Sequence, residues 1–438
     1  MDRDVLQVLR KDNPWLESPG NLQRWLRGHL PHPLVPRTMV EQRRGRWTQA
    51  DKAHLIVGPR QAGKSTAVWS HLATRPEPVL FIDCEQAAIR AWCRSAPLFL
   101  ADLETLGAEP TALLFEEVQH LQEAGLFLKG VVDRKPGVEI FVTGSSSYHL
   151  RARTRESLAG RATRTRLLPF SLAEVTRDLE HEPPALRRAH QEERFERHLV
   201  FGGYPETWLS ESPRDSLTEL AGSIVLPDTS DLHRVGLPEA YRRLLKLLAS
   251  QVGSLVNVSE WSSVLGISRE TVLAYLDRME DEHLVARLSP FAGGRRSELI
   301  RRPKIFLVDN GLRNWLSGDL RPLEHIGNPG PLFENWAFTE LDKALPADAL
   351  LHYWRSTSGT EVDFVIAFSD HLVAVEVKAD PMSRPRLPRG CRSFADAYQP
   401  ARLVVLNRSL EYSGRLGETE LIWTTPWRLC EKVFGFPS

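Results

Sequence analysis

The chain has 438 residues, 42% of them hydrophobic, which is enough for two or three packed domains. Its 56 basic and 56 acidic residues balance, so no overall basic pull toward nucleic acid exists and any such contact must come from local patches. Cys84, Cys93, Cys391 and Cys430 form no CxxC pair, which argues against structural zinc and for a reducing compartment, and no secretory leader or apolar run of ~18 residues is visible; a soluble, cytoplasmic protein with no membrane partner is expected.

The first strong signal begins at His54, in "HLIVGPRQAGKSTAVWSHLA". The apolar run Leu55 to Val57 reads as a buried strand. Gly58-Pro-Arg-Gln-Ala-Gly63-Lys64-Ser65 then matches G-x-x-x-x-G-K-[ST] in full. Ala67, Val68, His71 and Leu72 follow at helical spacing, so the glycine loop has the strand before it and the helix after it that a phosphate loop requires. Gly58 and Gly63 let backbone N–H groups curl around phosphate oxygens, and the helix N-terminus adds partial positive charge. Lys64 is placed to reach the β- and γ-phosphates of ATP, and Ser65 to ligate Mg²⁺.

"EPVLFIDCE" and "TALLFEEVQHL" read as the second and third buried strands, the latter ending in Glu116-Glu117. An acidic residue at that tip suits Mg²⁺ and the next one suits the polarisation of an attacking water; a solvated helix start is the plainer alternative. "VEIFVTGSSSYHL" adds a strand ending in Thr143-Gly144-Ser145-Ser146, where a polar tip such as Ser145 can sense a γ-phosphate or merely make a turn. Strands alternating with helices predict a parallel, doubly wound α/β sheet, with ligands outside the carboxyl ends of the strands. Six arginines lie between Arg151 and Arg166. Arg161 is the leading candidate for stabilising transition-state charge, in cis or from a neighbouring subunit of a homo-oligomer, against a basic surface that touches phosphate backbone or solvates a loop.

Residues 237–291 hold three helices in close succession, the second capped by Ser259, the third lined by Val272, Tyr275, Leu276 and Met279, and residues 284–310 read as two strands around a Gly-Gly wing. That pattern predicts a winged helix-turn-helix. Arg269, Glu270, Thr271 and Tyr275 would open the recognition helix onto DNA, with Arg295, Arg296, Arg301 and Arg302 on the wing. Glu270, Asp277 and Glu280 on the same helix keep a protein-contact role open.

Near the C-terminus, "GTEVDFVIAFSDHLVAVEVKAD" alternates apolar and polar residues on both sides of Ser369-Asp370. A two-residue turn there predicts a hairpin in which Asp363 faces Glu376 and Glu361 faces Lys378, all four on one face. Directly opposed carboxylates are destabilising unless something sits between them, and a divalent metal would serve. Glu334, on the preceding amphipathic helix "LFENWAFTEL", is a third potential ligand, and Lys378 could orient water or stabilise charge. The plainer alternative is an ion pair of Glu361 with Lys378 and two solvated carboxylates.

In this order the parts resemble the prokaryotic AAA-type ATPases that join an ATPase domain to a winged helix and a C-terminal restriction-endonuclease-like domain. The matching stretches are "GPRQAGKST", "LLFEEVQHL", "VTGSSS", "LAGR", "FGGYPE", "KIFLVDNGLRNWL", "LFENWAFTEL" and "TEVDFVI…AVEVKA". The resemblance implies ATP binding by Gly58, Pro59, Arg60, Gln61, Ala62, Gly63, Lys64, Ser65 and Thr66, with Mg²⁺ held by Ser65 and Glu116. It implies catalytic-base duty for Glu117 and a nuclease-like core at Asp363, Glu376 and Lys378. Glu116 stands where the family usually has Asp, which bears on turnover more than on binding. The domains expected are a helical arm over 1–50, the ATPase over 51–230, the winged helix over 231–315 and the nuclease-like domain over 316–438. The function expected is a Mg²⁺-dependent ATPase acting on DNA, or a nucleotide-switched regulator or scaffold with a degenerate nuclease domain.

Overall fold

The computed structural model describes the chain apart from residues 17, 19, 48–51, 75–77, 107–109, 135, 145–157, 226–235, 294–301, 357 and 436–438. Ser145, and the wing arginines Arg295, Arg296 and Arg301, lie outside the described residues. The chain divides into two compact units, residues 1–169 with 281–283, and residues 170–280 with 284–438. This division departs from the expected boundaries at 50 and 230.

The first unit is built on five strands, β1 (Ala53–Val57), β2 (Val79–Asp83), β3 (Ala112–Glu116), β4 (Glu139–Gly144) and β5 (Ala162–Arg166). They run parallel in the order β2-β3-β4-β1-β5, as the alternation of strands and helices predicts. Side-chain alternation divides the core cleanly. Leu55, Val57, Leu80, Ile82, Leu113, Phe115, Ile140 and Val142 fill one side, and Ile56, Val79, Ala112, Leu114 and Phe141 the other. A sheet apolar on both faces needs cover on both, and the N-terminal helices supply part of it. Val5 and Leu9 pack on one side; Trp15, Leu22, Leu26, Val40 and Trp47 pack on the other. Asn13 binds edge strand β2 as another strand would: its amide donates to the Phe81 carbonyl at 2.9 Å and its carbonyl accepts the Phe81 N–H at 2.7 Å. The described residues of the expected helical arm are therefore helices that cover the sheet.

In the second unit, helices Pro238–Ser250, Val258–Leu265 and Arg269–Asp281 precede an antiparallel ribbon of β6 (Val285–Leu288) and β7 (Lys304–Leu307). Asn257, not Ser259, caps the second helix, accepting the Glu260 N–H at 3.4 Å. Val272, Tyr275, Leu276 and Met279 all face the core, as their spacing predicts.

Six further strands form a mixed sheet: β8 (Leu350–Arg355), β9 (Glu361–Ala367), β10 (Leu372–Val377), β11 (Arg402–Leu406), β12 (Tyr412–Leu416) and β13 (Thr419–Thr424), in the order β12-β13-β11-β10-β9-β8. One face packs against helix Arg389–Tyr398 through Cys391, Phe394 and Ala395. The other meets helix Gly330–Ala344, where Phe338 stacks on Phe306 at 4.4 Å and lies beside Phe364.

Two of the distinctive stretches turn out to be a structural clasp. Asp309 caps helix Asn310–Ser317 by accepting the Leu312 N–H at 3.0 Å, and its other oxygen accepts the Gly203 N–H at 2.8 Å. A Cβ at Gly202 would strike the Asp309 carboxylate and one at Gly311 the Phe201 carbonyl, so "FGGYPE" and "VDNGL" lock together only through glycine.

Candidate functional site

The phosphate loop leaves β1 at Val57 and enters helix Lys64–Leu72. A side chain at Gly58 would collide with the Leu167 carbonyl, since Leu167 donates its N–H to Val57 at 2.7 Å and brings the two backbones together. Gln61 and Gly63 both hold positive φ, 59° and 86°, a conformation that turns successive N–H groups toward one concavity. Ala62 is buried and Thr66 half-buried behind them, and Arg60 stands exposed.

Lys64 is buried, and its ammonium donates to the carbonyls of Pro59 at 2.8 Å and Gly58 at 3.3 Å. Burial holds its pKa below the ordinary lysine value, against the pull of Glu117 and Glu116. Ser65 donates its hydroxyl to Glu116. Register places Asp83, the last residue of β2, directly beside Glu116, the last of β3. Burial, then Glu117 and Asp83, push the Glu116 carboxyl up to about 7.

Glu117 sits in the left-handed region at φ 49°. For a residue with a side chain that is a strained position, costing about 1 kcal/mol or more and worth explaining by function. Its N–H points to the Thr143 hydroxyl at 3.4 Å, and its carboxylate accepts the Gln119 amide. Because β4 lies between β3 and β1, the tip of β4 stands between the acidic pair and the phosphate loop. The structure thus brings Lys64, Ser65, Glu116 and Glu117 together at the carboxyl edge of the sheet. Their donor set fits a nucleotide triphosphate and its Mg²⁺: an ammonium, a concavity of N–H groups, and hard hydroxyl and carboxylate oxygens in contact.

Arg161 is not part of this group. Its carbonyl accepts the Ala53 N–H at 2.9 Å, so it lies at the amino end of β1, a strand length or roughly 13–16 Å from the loop. Its guanidinium pairs with Asp133. The reading of Arg161 as a finger in cis is corrected by this topology.

One contributor leaves no local trace in the sequence. Arg37, buried in a segment with no helical or strand periodicity, donates to the Ala62 carbonyl at 3.1 Å and to the Leu168 carbonyl. It ties the phosphate loop to the strand exit beside it. Asp83 was visible only as the end of an apolar run.

In the second unit, the β9–β10 hairpin has the predicted register, Ala367↔Leu372 through Phe364↔Val375, closed by the Phe368 N–H on the His371 carbonyl at 3.0 Å. The ladder ends there. Asp363 accepts the Val377 N–H at 2.8 Å through its carboxylate, in place of a backbone pair. Between His352↔Val365 and Trp354↔Val362, β9 has one residue more than β8. This bulge puts Val362 and Val365 on the same side of the sheet, so strict alternation fails across Asp363.

The four polar residues are consequently divided. Lys378 pairs with Glu376 at 2.7 Å rather than facing Glu361. Glu361 instead binds the ammonium of Lys304, which also contacts Glu334 at 2.8 Å, and it lies 3.7 Å from Arg355. Among the described residues, Glu334, Glu361 and Asp363 bring one carboxylate oxygen each within 4.8 Å of one another; the expected trio had Glu376 in place of Glu361. Burial, then Asp363, push both Glu334 and Glu376 up to about 7, against the opposing lysines Lys304 and Lys378. Burial also raises Asp363 above the ordinary carboxylate value, against Lys304.

The expected DNA-reading residues fare unevenly. Arg269, Glu270 and Arg302 are exposed and Thr271 half-buried. Tyr275 is buried, its ring against Tyr241 and its hydroxyl on the Leu237 backbone, so it cannot reach a base edge; its aromatic bulk belongs to the core. Asp277 and Glu280 are bound by Arg287.

Residues 50–176 match the family model of an AAA domain. The five-stranded parallel sheet, β1 to β5, lies within the matched residues. Residues 192–322 and 329–427 each match a family described only as a domain of unknown function. An uncharacterized protein of Mycobacterium tuberculosis is 28% identical over 358 residues, covering 80% of this chain and 75% of its own. An uncharacterized protein of Haemophilus influenzae is 22% identical over 417 residues, covering 90% and 99%. The Walker-type ATPase PABY2304 of Pyrococcus abyssi superimposes with a TM-score of 0.45 at 16% identity, over 66% of this chain and 97% of that one. No helix among the described residues is long and apolar enough to cross a membrane.

Proposed function

We propose that the AAA-type domain is a Mg²⁺-dependent ATPase and that its nucleotide state controls what the second unit binds. The observation that carries this reading is the convergence of Lys64, Ser65, Glu116 and Glu117 at one edge of the sheet. Lys64 and the loop N–H groups would hold the β- and γ-phosphates. Ser65 and Glu116 would hold Mg²⁺, whose chemistry is to neutralise charge on the transferring phosphoryl group. Glu117 would take the proton of the attacking water, oriented by Gln119 and by the Thr143 contact at its backbone.

A pH dependence follows. With its carboxyl at about 7, Glu116 is largely protonated below that pH and must release a proton before it can ligate a metal. Apparent affinity for Mg-ATP is therefore expected to rise about tenfold between about pH 6 and pH 8. Titration calorimetry checks this against Glu116→Gln, which should lack that component; identical profiles would remove Glu116 from the metal.

DNA is the partner we propose for the second unit. Three helices and an antiparallel ribbon support a winged-helix reading, with Arg269 and Arg302 exposed to meet phosphates. Asp363, Glu376 and Lys378, adjoining one another at the end of the hairpin, support a nuclease-like one. A regulator or scaffold with a degenerate nuclease domain is the second reading. It is favoured by Lys304, an ammonium held between Glu334 and Glu361 beside Asp363. Steady-state ATP hydrolysis with and without duplex, single-stranded and branched DNA separates the two. Several-fold stimulation, or cleavage lost in Asp363→Ala and Lys378→Ala, supports an enzyme acting on DNA. Unstimulated turnover with no cleavage supports the scaffold.

A further inference from the structure

Lys304 is the first residue of β7, reached in sequence through an arginine-rich stretch, and nothing in its local pattern marks it. The fold buries its side chain to 4% exposure and delivers the ammonium to Glu334 Oε1 at 2.8 Å and to Glu361. The Tyr353 ring lies beneath it, with Nζ 5.4 Å from the centroid. The turn at Gly253 closes the far side of Glu334, where a Cβ would stand 2.6 Å from Oε2. Asp363 completes the carboxylate group, held in place by its bond from the Val377 N–H.

Three carboxylates this close repel one another, and the repulsion is relieved by a cation or by protonation. A divalent metal would meet it with oxygen ligands from all three. Here the cation is covalently part of the chain. Burial by itself would lower the ammonium's pKa, but Glu334, Glu361 and Asp363 together hold it above the ordinary lysine value, so it stays charged throughout the physiological range. The ammonium takes one oxygen of Glu334 and one of Glu361 and places a positive charge where a metal bridging the cluster would sit.

We infer that Lys304 is the resident cation of the Glu334–Glu361–Asp363 cluster and excludes divalent metal from it. The consequence is specific. The first residue of β7 decides the chemistry at the start of β9, and metal-dependent cleavage through these three carboxylates requires Lys304 to leave. The inference stands on the second unit alone and is independent of ATP hydrolysis.

The probe is Mn²⁺, counted by electron paramagnetic resonance on the full chain without nucleotide. Lys304→Met is expected to gain one Mn²⁺ site over the wild type, and adding Asp363→Asn should remove that site again, which separates it from any Mn²⁺ at Ser65 and Glu116. A folded Lys304→Met protein with no additional site overturns the inference. A second measurement does not depend on that variant's folding: Glu361→Gln in the wild-type background should leave Mn²⁺ stoichiometry unchanged. Loss of a site there would show metal bound beside Lys304 and would equally overturn it.

Discussion

Replacing Lys64 by alanine is expected to abolish useful ATP binding. The ammonium is buried, and Glu117 and Glu116 both act on it. Its removal takes away the charge-assisted bonds to phosphate, about 1.5–3 kcal/mol for a hydrogen bond to a charged group. It also leaves Glu116 and Glu117, with Asp83 adjoining, facing an anionic ligand. Together these predict a loss of roughly 100-fold or more in affinity. Calorimetric titration with Mg-ATP reads this directly, and circular dichroism confirms that the sheet is intact. Lys64→Met, which keeps most of the side-chain volume, should behave as alanine does. Retained affinity in both would mean that ATP does not bind at this loop.

The second large effect belongs to Glu117. Glutamine at this position keeps the shape and a hydrogen-bonding oxygen but cannot accept a proton. Removal of a positioned general base costs about 10²–10⁴ in rate. Glu117→Gln should therefore bind Mg-ATP within a few-fold of the wild type while turnover falls by that factor. Single-turnover phosphate release separates chemistry from binding. The contrast with Glu116→Gln is informative: Glu116 contacts Ser65, so its loss should disturb the metal first and the water second. Turnover near the wild-type rate in Glu117→Gln would move the base elsewhere and leave its left-handed backbone without the catalytic explanation offered here.

Much of the nucleotide site was legible because its parts are contiguous. Gly58 to Thr66 lie within one turn and one helix start, and the Glu116-Glu117 pair directly ends an apolar run. The hairpin register was legible for the same reason, since a two-residue turn fixes every pair that follows it. Alternation breaks at Asp363. One extra residue in β9 reverses which side each later side chain takes, and neither the apolar pattern nor the turn encodes it. Tyr275 differs: the sequence pattern suits it both to the core face of its helix and to the helix start expected to meet DNA, and the buried ring serves only the core. Arg161, the arginine of the "LAGR" stretch, precedes β5, which begins at the opposite end of the sheet from the phosphate loop.

The sequence by itself determined a phosphate loop between strand and helix, a parallel α/β sheet with acidic tips, and a polar-edged hairpin. Periodicity, glycine conformation and turn length act over a few residues, and those are the forces that specify such features. Only the tertiary structure decided which charges meet. Arg37 reaches the carbonyl of Leu168, 131 residues away, and Lys304 reaches Glu334, 30 residues away on another element. A buried ion is held by whichever carbonyl oxygen or opposite charge the packing delivers, because desolvation makes the unpaired state too costly. That selection occurs in space, after strands and helices have assembled, and so the identity of the cation among Glu334, Glu361 and Asp363 could be read only from the fold.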